Sequence, residues 1–309
     1  MNRQKQLSQI ASTIEENSLY FKNKEKFSDI FPDIQIIFEN KKINSKSFQK
    51  WGNIKITLNQ IKHLSKLANP FYLGYGNPNS KILILGQEKA FDIIYNPDLL
   101  FHESMANPFQ WNELNDTSWG EKSNLDFDPR FPIKYFNYSY ENEKSKRYWA
   151  RTWYKYSLLI SSIYSESTPK EMYFEKENIS KSFFNYCFCS EVNDSPKKNT
   201  SNVNTLVERL KLTPKLYKFY QSFPVVLLAI GKSVQGNPLD FINSVFGKTE
   251  ELDYLEIGIK EDNELPICPR LYQSENGQKI ILCSQMSGNS RWKNEHFKLL
   301  GEKIKGYLK

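Results

Sequence analysis

The chain has 309 residues, with 42 Lys and Arg against 35 Asp and Glu, a formal net charge of +7. An apolar share of 39% that includes 15% aromatics is enough to bury a core, and it excludes intrinsic disorder. Four cysteines are too few for a disulfide scaffold. There is no signal-type segment at the start and no apolar run near the roughly 18 residues of a membrane span, so the expectation is a cytoplasmic protein without a membrane partner.

In chain order, Leu7, Ile10, Ala11 and Ile14 repeat with the period of an amphipathic helix. A second candidate helix runs from Ser47 through Trp51 to Leu67. Residues 1–70 therefore read as an N-terminal helical extension capping a main domain over 71–309. Asn69-Pro70 and the Gly74–Asn79 run break the helical pattern. Lys81–Gly86 is a short apolar run ending at glycine, the pattern of a strand buried on both faces. A loop rich in Pro, Asn, Asp and aromatics extends to about Tyr140, and a connection of that length is expected to be functional. A helix begins near Lys144, with Trp149, Trp153, Tyr156, Ile160 and Ile163 forming a stripe that reads as core. Phe183–Cys189 is a second strand candidate, and Val203, Leu206, Val207 and Leu210 mark another helix. Pro224–Gly231 is a third buried strand. Asn276-Gly277 between Leu271–Gln273 and Lys279–Cys283 is a strong hairpin signal. Phe297, Leu300, Ile304, Tyr307 and Leu308 stripe a last helix.

Strands alternating with helices predict an α/β fold: a three-layer sandwich with a central, mostly parallel four-stranded sheet. Ligands of such sheets sit beyond the carboxyl ends of the strands. The segments expected there are Gln87-Glu88, Asn185 to Asn193, Gly231-Lys232-Ser233 and Ser284 to Arg291. Glu88 is either a base for water or a solvated carboxylate beside Lys89. Gly231-Lys232-Ser233 resembles the end of a phosphate loop, but Val226 stands where that loop needs a glycine, which excludes a nucleotide-hydrolysing site. The small polar run Gln285–Arg291 suits either phosphate contact or a plain strand–helix turn. Cys187, Cys189, Cys268 and Cys283 lack metal-ligand spacing and read as buried free thiols, so no metal or cofactor is expected. His63, His102 and His296 are isolated, and no protease signature is present.

At these segments the chain resembles the uracil-DNA glycosylase superfamily. Gly86-Gln87-Glu88-Lys89-Ala90 is similar to the family's Gly-Gln-Asp-Pro-Tyr motif, and Phe101 falls at the place of its base-stacking aromatic. Phe184–Phe188 resembles the strand carrying the base-reading Asn, which nominates Asn185. Leu227–Gly236 resembles the third strand and its small-residue loop. Gln285-Met286-Ser287, followed by His296-Phe297, resembles the His-Pro-Ser motif and its downstream helix. The resemblance covers residues 81–308 and rests on the joint order of these motifs. It implies a monofunctional, cofactor-free hydrolysis of the N-glycosidic bond of a damaged or modified base in single- or double-stranded DNA, by a monomer. Glu88 and Gln285 would be catalytic, and Gly86, Gln87, Ala90, Phe101 and Asn185 would hold the base. Lys232, Ser233, Ser287, Gly288, Asn289, Ser290 and Arg291 would hold DNA. Ala90 in place of the bulky Tyr implies a pocket open to 5-substituted bases, Gln285 replaces the motif His, and residues 240–278 form an insert. The alternatives are a catalytically inactive nucleic-acid-binding module on the same fold, and a small-molecule enzyme using the same edge pocket.

Overall fold

The computed structural model describes residues 2–17, 72–87, 107–115, 117–125, 128–135, 151–165, 167–175, 177–193, 205–231, 237–255, 257, 268–286 and 292–308. The helices among them are α1 (Arg3–Asn17), α2 (Asn107–Glu113), α3 (Arg151–Tyr164), α4 (Pro169–Phe174), α5 (Leu206–Leu212), α6 (Pro214–Gln221), α7 (Pro238–Phe246) and α8 (Asn294–Tyr307). The strands are β1 (Tyr75–Gly76), β2 (Ile82–Gly86), β3 (Phe188–Glu191), β4 (Val225–Ala229), β5 (Thr249–Tyr254), β6 (Arg270–Ser274) and β7 (Lys279–Cys283).

All seven strands join one sheet in the order β1-β3-β2-β4-β7-β6-β5. Its centre, β3-β2-β4-β7, is parallel throughout. β1 adds antiparallel to β3 at one edge, and β6 and β5 add antiparallel beyond β7 at the other. The expected four parallel strands are therefore the middle of a larger mixed sheet. The residues read as an insert supply α7, β5 and most of the extra edge. Asn237 opens α7 by accepting a hydrogen bond from Leu239 N at 3.0 Å, with Pro238 in the first turn.

Strand side chains alternate between two cores. Ile82, Ile84, Val225, Leu227 and Ile281 pack with α3, α4 and α8. Leu83, Leu85, Val226, Leu228, Ile280 and Leu282 pack with α1, α2, α5, α6 and α7. This is why β2 and β4 read as continuous apolar runs: both faces are covered. The predicted stripe of α1 is buried, with Leu7, Ile10, Ala11 and Ile14 inside the second core. Arg3 ties α1 to the turn before β2, its N–H donating to Asn79 Oδ1 at 2.7 Å and its guanidinium to Pro78 O at 3.0 Å. The candidate helix Ser47–Leu67 lies outside the described residues.

α3 and α8 cross at close range: a Cβ on Gly301 would meet Ser162 Cβ at 2.6 Å and Ser162 C at 3.1 Å. Glycine here lets the two helix backbones touch. The Asn276-Gly277 hairpin forms as expected, with Gly277 at φ +78°. The Phe183–Cys189 strand does not. Phe183–Asn185 is a 3-10 turn, and strand pairing begins at Phe188. The turn forms because Ser182 Oγ accepts from Phe184 N at 3.4 Å and Ser182 O from Asn185 N at 2.9 Å. Phe183 and Phe184 are nonetheless fully buried, so the apolar run is core in a different backbone shape.

Candidate functional site

The parallel strands occur along the chain as β2, β3, β4, β7 and in space as β3-β2-β4-β7. The chain leaves β2 toward one edge and β4 toward the other. The crevice such a reversal opens lies between the carboxyl ends of β2 and β4. Gly86-Gln87 and Ile230-Gly231 border it. The strand ends stay together beyond the sheet: Val192 N donates to Gly86 O and Asn193 N to Gln87 O, each at 2.9 Å.

The last level of the sheet is set by its register. Glu191 pairs with Gly86 and Ala229 with Cys283, while Leu85 opposite Leu228 puts Gly86 level with Ala229. On the face covered by α3 and α8, this row reads Glu191, Gly86, Ala229, Cys283. Two small residues in the middle leave a notch, and Tyr156 of α3 reaches it. A Cβ on Gly86 would lie 2.3 Å from Glu191 Oε2, 3.0 Å from Glu191 Cδ and 3.1 Å from the Tyr156 hydroxyl. Glycine at position 86 thus makes room for a carboxylate and a phenol at one point.

Tyr156 is 3% exposed, and Glu191 is half-buried. Burial first, and then the Glu191 carboxylate, push the Tyr156 phenol well above its ordinary value, so it keeps its proton. Burial likewise raises the Cys283 and Cys189 thiols. Cys187 and Cys189 are buried with their sulfurs 3.7 Å apart, whereas Cys268 is exposed, unlike the buried thiol expected there. Behind β3, the fully buried Arg209 donates from Nη1 to Glu191 O at 2.6 Å and from Nη2 to Tyr72 O, which fixes the strand end.

On the other side of the crevice, Gly231 adopts φ +60°, and a Cβ there would sit 3.3 Å from Gln285 N. The ends of β4 and β7 therefore press together, with Gln285 half-buried beside them. Trp292 Nε1 donates to the exposed Ser284 Oγ at 2.8 Å and pins the turn after β7.

Of the residues nominated from sequence, Gly86, Gln87 and Gln285 meet at this carboxyl edge. Asn185 does not. It precedes β3, and its side chain accepts from Trp119 Nε1 at 2.9 Å and donates to Ser180 O at 3.1 Å. Asn77 Nδ2 donates to its carbonyl at 2.8 Å. Asn185 thus fastens the amino edge, beyond the far end of β3, which alone spans about 10 Å at the rise of a strand. The error follows from reading residues 183–189 as strand. Asn185 lines a groove of about 450 Å³ with Lys81, Tyr164, Tyr186 and Lys305 at that opposite edge. Glu88, Ala90, Phe101, Lys232, Ser233, Ser287, Gly288, Asn289, Ser290 and Arg291 lie outside the described residues.

Glu191 and Tyr156 were not nominated from sequence. The signal for Glu191 was the alternation Cys187, Cys189, Glu191, which puts a carboxylate in line with two buried thiols. Among the described residues no group of three or more His, Cys, Asp or Glu is placed to hold a metal, and no helix is long and apolar enough to cross a membrane. Comparison with family models, curated proteins and solved structures finds no match.

Proposed function

We propose that the chain is a DNA glycosylase-like hydrolase that releases a damaged or modified base at the crevice between the ends of β2 and β4. The observation that carries this reading is the coincidence of two independent lines. The reversal of strand order opens a crevice beside Gly86-Gln87 and Gly231, the position at which α/β sheets take ligands. These are the segments at which the sequence resembles the catalytic and loop motifs of the uracil-DNA glycosylase superfamily. Gln285 of the last resembling motif borders the same edge.

A base must leave the stack before its glycosidic bond can be reached. In this reading Phe101 stacks on the extruded base and Glu88 orients water. Gln285 donates an amide hydrogen bond to the leaving base, and Lys232, Ser233, Ser287 and Arg291 hold phosphates. The base-reading amide belongs to a residue of the carboxyl edge. Gln87 and Asn193, both buried there, are the candidates. The net charge of +7 suits a polyanion.

The catalytically inactive nucleic-acid-binding module is favoured by one feature, the uncharged Gln285 in place of the motif His. Incubation with modified-base oligonucleotides, single- and double-stranded, followed by alkaline cleavage separates the two. Strand scission supports the glycosylase. Salt-dependent binding without scission supports the module.

A further inference from the structure

We propose that Glu191 is a second carboxylate of this site, the anion that faces the positive charge developing on the sugar; the proposal rests on the glycosylase reading. Four observations carry it. Glu191 ends β3 beside the crevice, and its carboxylate lies over Gly86, the first residue of the resembling motif, at the 2.3 Å and 3.0 Å approaches that a side chain at position 86 would block. The residue is half-buried, and its Oε2, the oxygen nearest Gly86, is withdrawn from water. Its backbone is anchored by the fully buried Arg209, which keeps the strand end in place. Finally, the buried Tyr156 hydroxyl sits beside the same point as a neutral O–H dipole.

A preorganised anion in a poorly solvated position stabilises developing positive charge more than one in bulk water. In the step proposed, the C1′–N bond breaks and its electron pair leaves with the base. The positive charge spreads over C1′ and the ring oxygen, opposite the Glu191 carboxylate, which forms no bond. The oxygen of water then bonds to C1′, and the proton that water loses goes to the departing base. The charge and atoms balance without any other reactant. The Tyr156 hydroxyl, packed over Gly86 beside the carboxylate, walls the notch that holds it.

The test is single-turnover base release by the full chain, with rate and apparent affinity read separately, for wild type, Glu191→Gln and Glu191→Asp. Glu191→Gln is expected to lower the rate on the order of 100-fold, as for loss of a preorganised charge stabiliser, with affinity within a few fold. Glu191→Asp keeps the charge but draws it back by one methylene, and is expected to fall between wild type and Glu191→Gln in rate, a graded rescue that a merely structural role would not give. If Glu191→Gln does not fold, Glu191→Asp decides: a rate equal to wild type overturns the role. A wild type that releases base while both variants keep its rate overturns the role of Glu191 alone. A wild type that releases no base overturns the glycosylase reading, and the inference with it.

Discussion

Gly86→Ala tests the geometry of the candidate site without any substrate. The φ of Gly86 lies outside the left-handed region, so alanine fits the backbone and only space is at issue. The new methyl would sit 2.3 Å from Glu191 Oε2, more than 1 Å inside the 3.4 Å where ordinary contact begins, and 3.1 Å from the Tyr156 hydroxyl. Forcing a methyl into a packed position costs about 1–3 kcal/mol. Replacing glycine in a strand returns about 0.5–1 kcal/mol through the unfolded chain. The Glu191 Oε2 that must give way is itself buried, which puts the cost mid-range, a net loss of about 1 kcal/mol. Glu191→Ala removes the obstacle. The double variant should then be at least as stable as Glu191→Ala alone, with a coupling of about 1–2 kcal/mol. Urea unfolding with a constant m value reads this directly. A Gly86→Ala midpoint equal to wild type, unaltered by adding Glu191→Ala, refutes the placement of the carboxylate over Gly86.

Other expectations follow from single positions. Glu88→Gln should reduce base release on the order of 100-fold, while Asn185→Ala should leave it unchanged and destabilise the fold by about 1–2 kcal/mol through its lost bonds to Trp119 and Ser180; a paired activity assay and urea titration check both. Gly301→Ala should separate α3 from α8 and lower stability by about 1–3 kcal/mol despite alanine's higher helix propensity, as thermal unfolding will show. Burial raises Tyr156, Cys189 and Cys283 above their ordinary values of 10.0, 9.0 and 9.0. Their neutral forms are favoured in the folded state, so the stability they contribute is complete below pH 9 and is lost as pH rises above it. A stability profile that rises between pH 9 and 11 contradicts this. Of the four cysteines only Cys268 is exposed, so the native protein should titrate one thiol rapidly with a water-soluble disulfide reagent.

Much of the sheet was legible because its signals were local. Lys81–Gly86 and Pro224–Gly231 are apolar runs too short for helices, and Asn276-Gly277 fixes its hairpin through turn chemistry alone. The stripes of α1, α3 and α8 were legible for the same reason. Phe183–Cys189 failed because aromatic content marks burial, not backbone shape, and the Ser182 hydroxyl draws its first residues into a 3-10 turn. That error carried Asn185 to the wrong edge. The helices α4 and α7 announce themselves through Thr168-Pro169 with Glu171 and through Asn237-Pro238, cap signals overlooked because the apolar stripes beyond them are short. Glu191 and Tyr156 are 35 residues apart and meet only through the packing of α3 on the sheet, which no spacing rule encodes.

The two edges of the sheet offer a direct contest over where a base is held. A DNA oligonucleotide carrying a photoreactive modified base, cross-linked to the full chain and mapped by mass spectrometry, reads the answer in one measurement. The account predicts adducts at the carboxyl edge, at Gln87, Asn193, Gly231 or Gln285, or in the sequence segments 88–103, 232–236 and 287–291 that follow β2, β4 and β7. Adducts confined to the amino-edge groove, at Lys81, Tyr164, Tyr186 or Lys305, would contradict it.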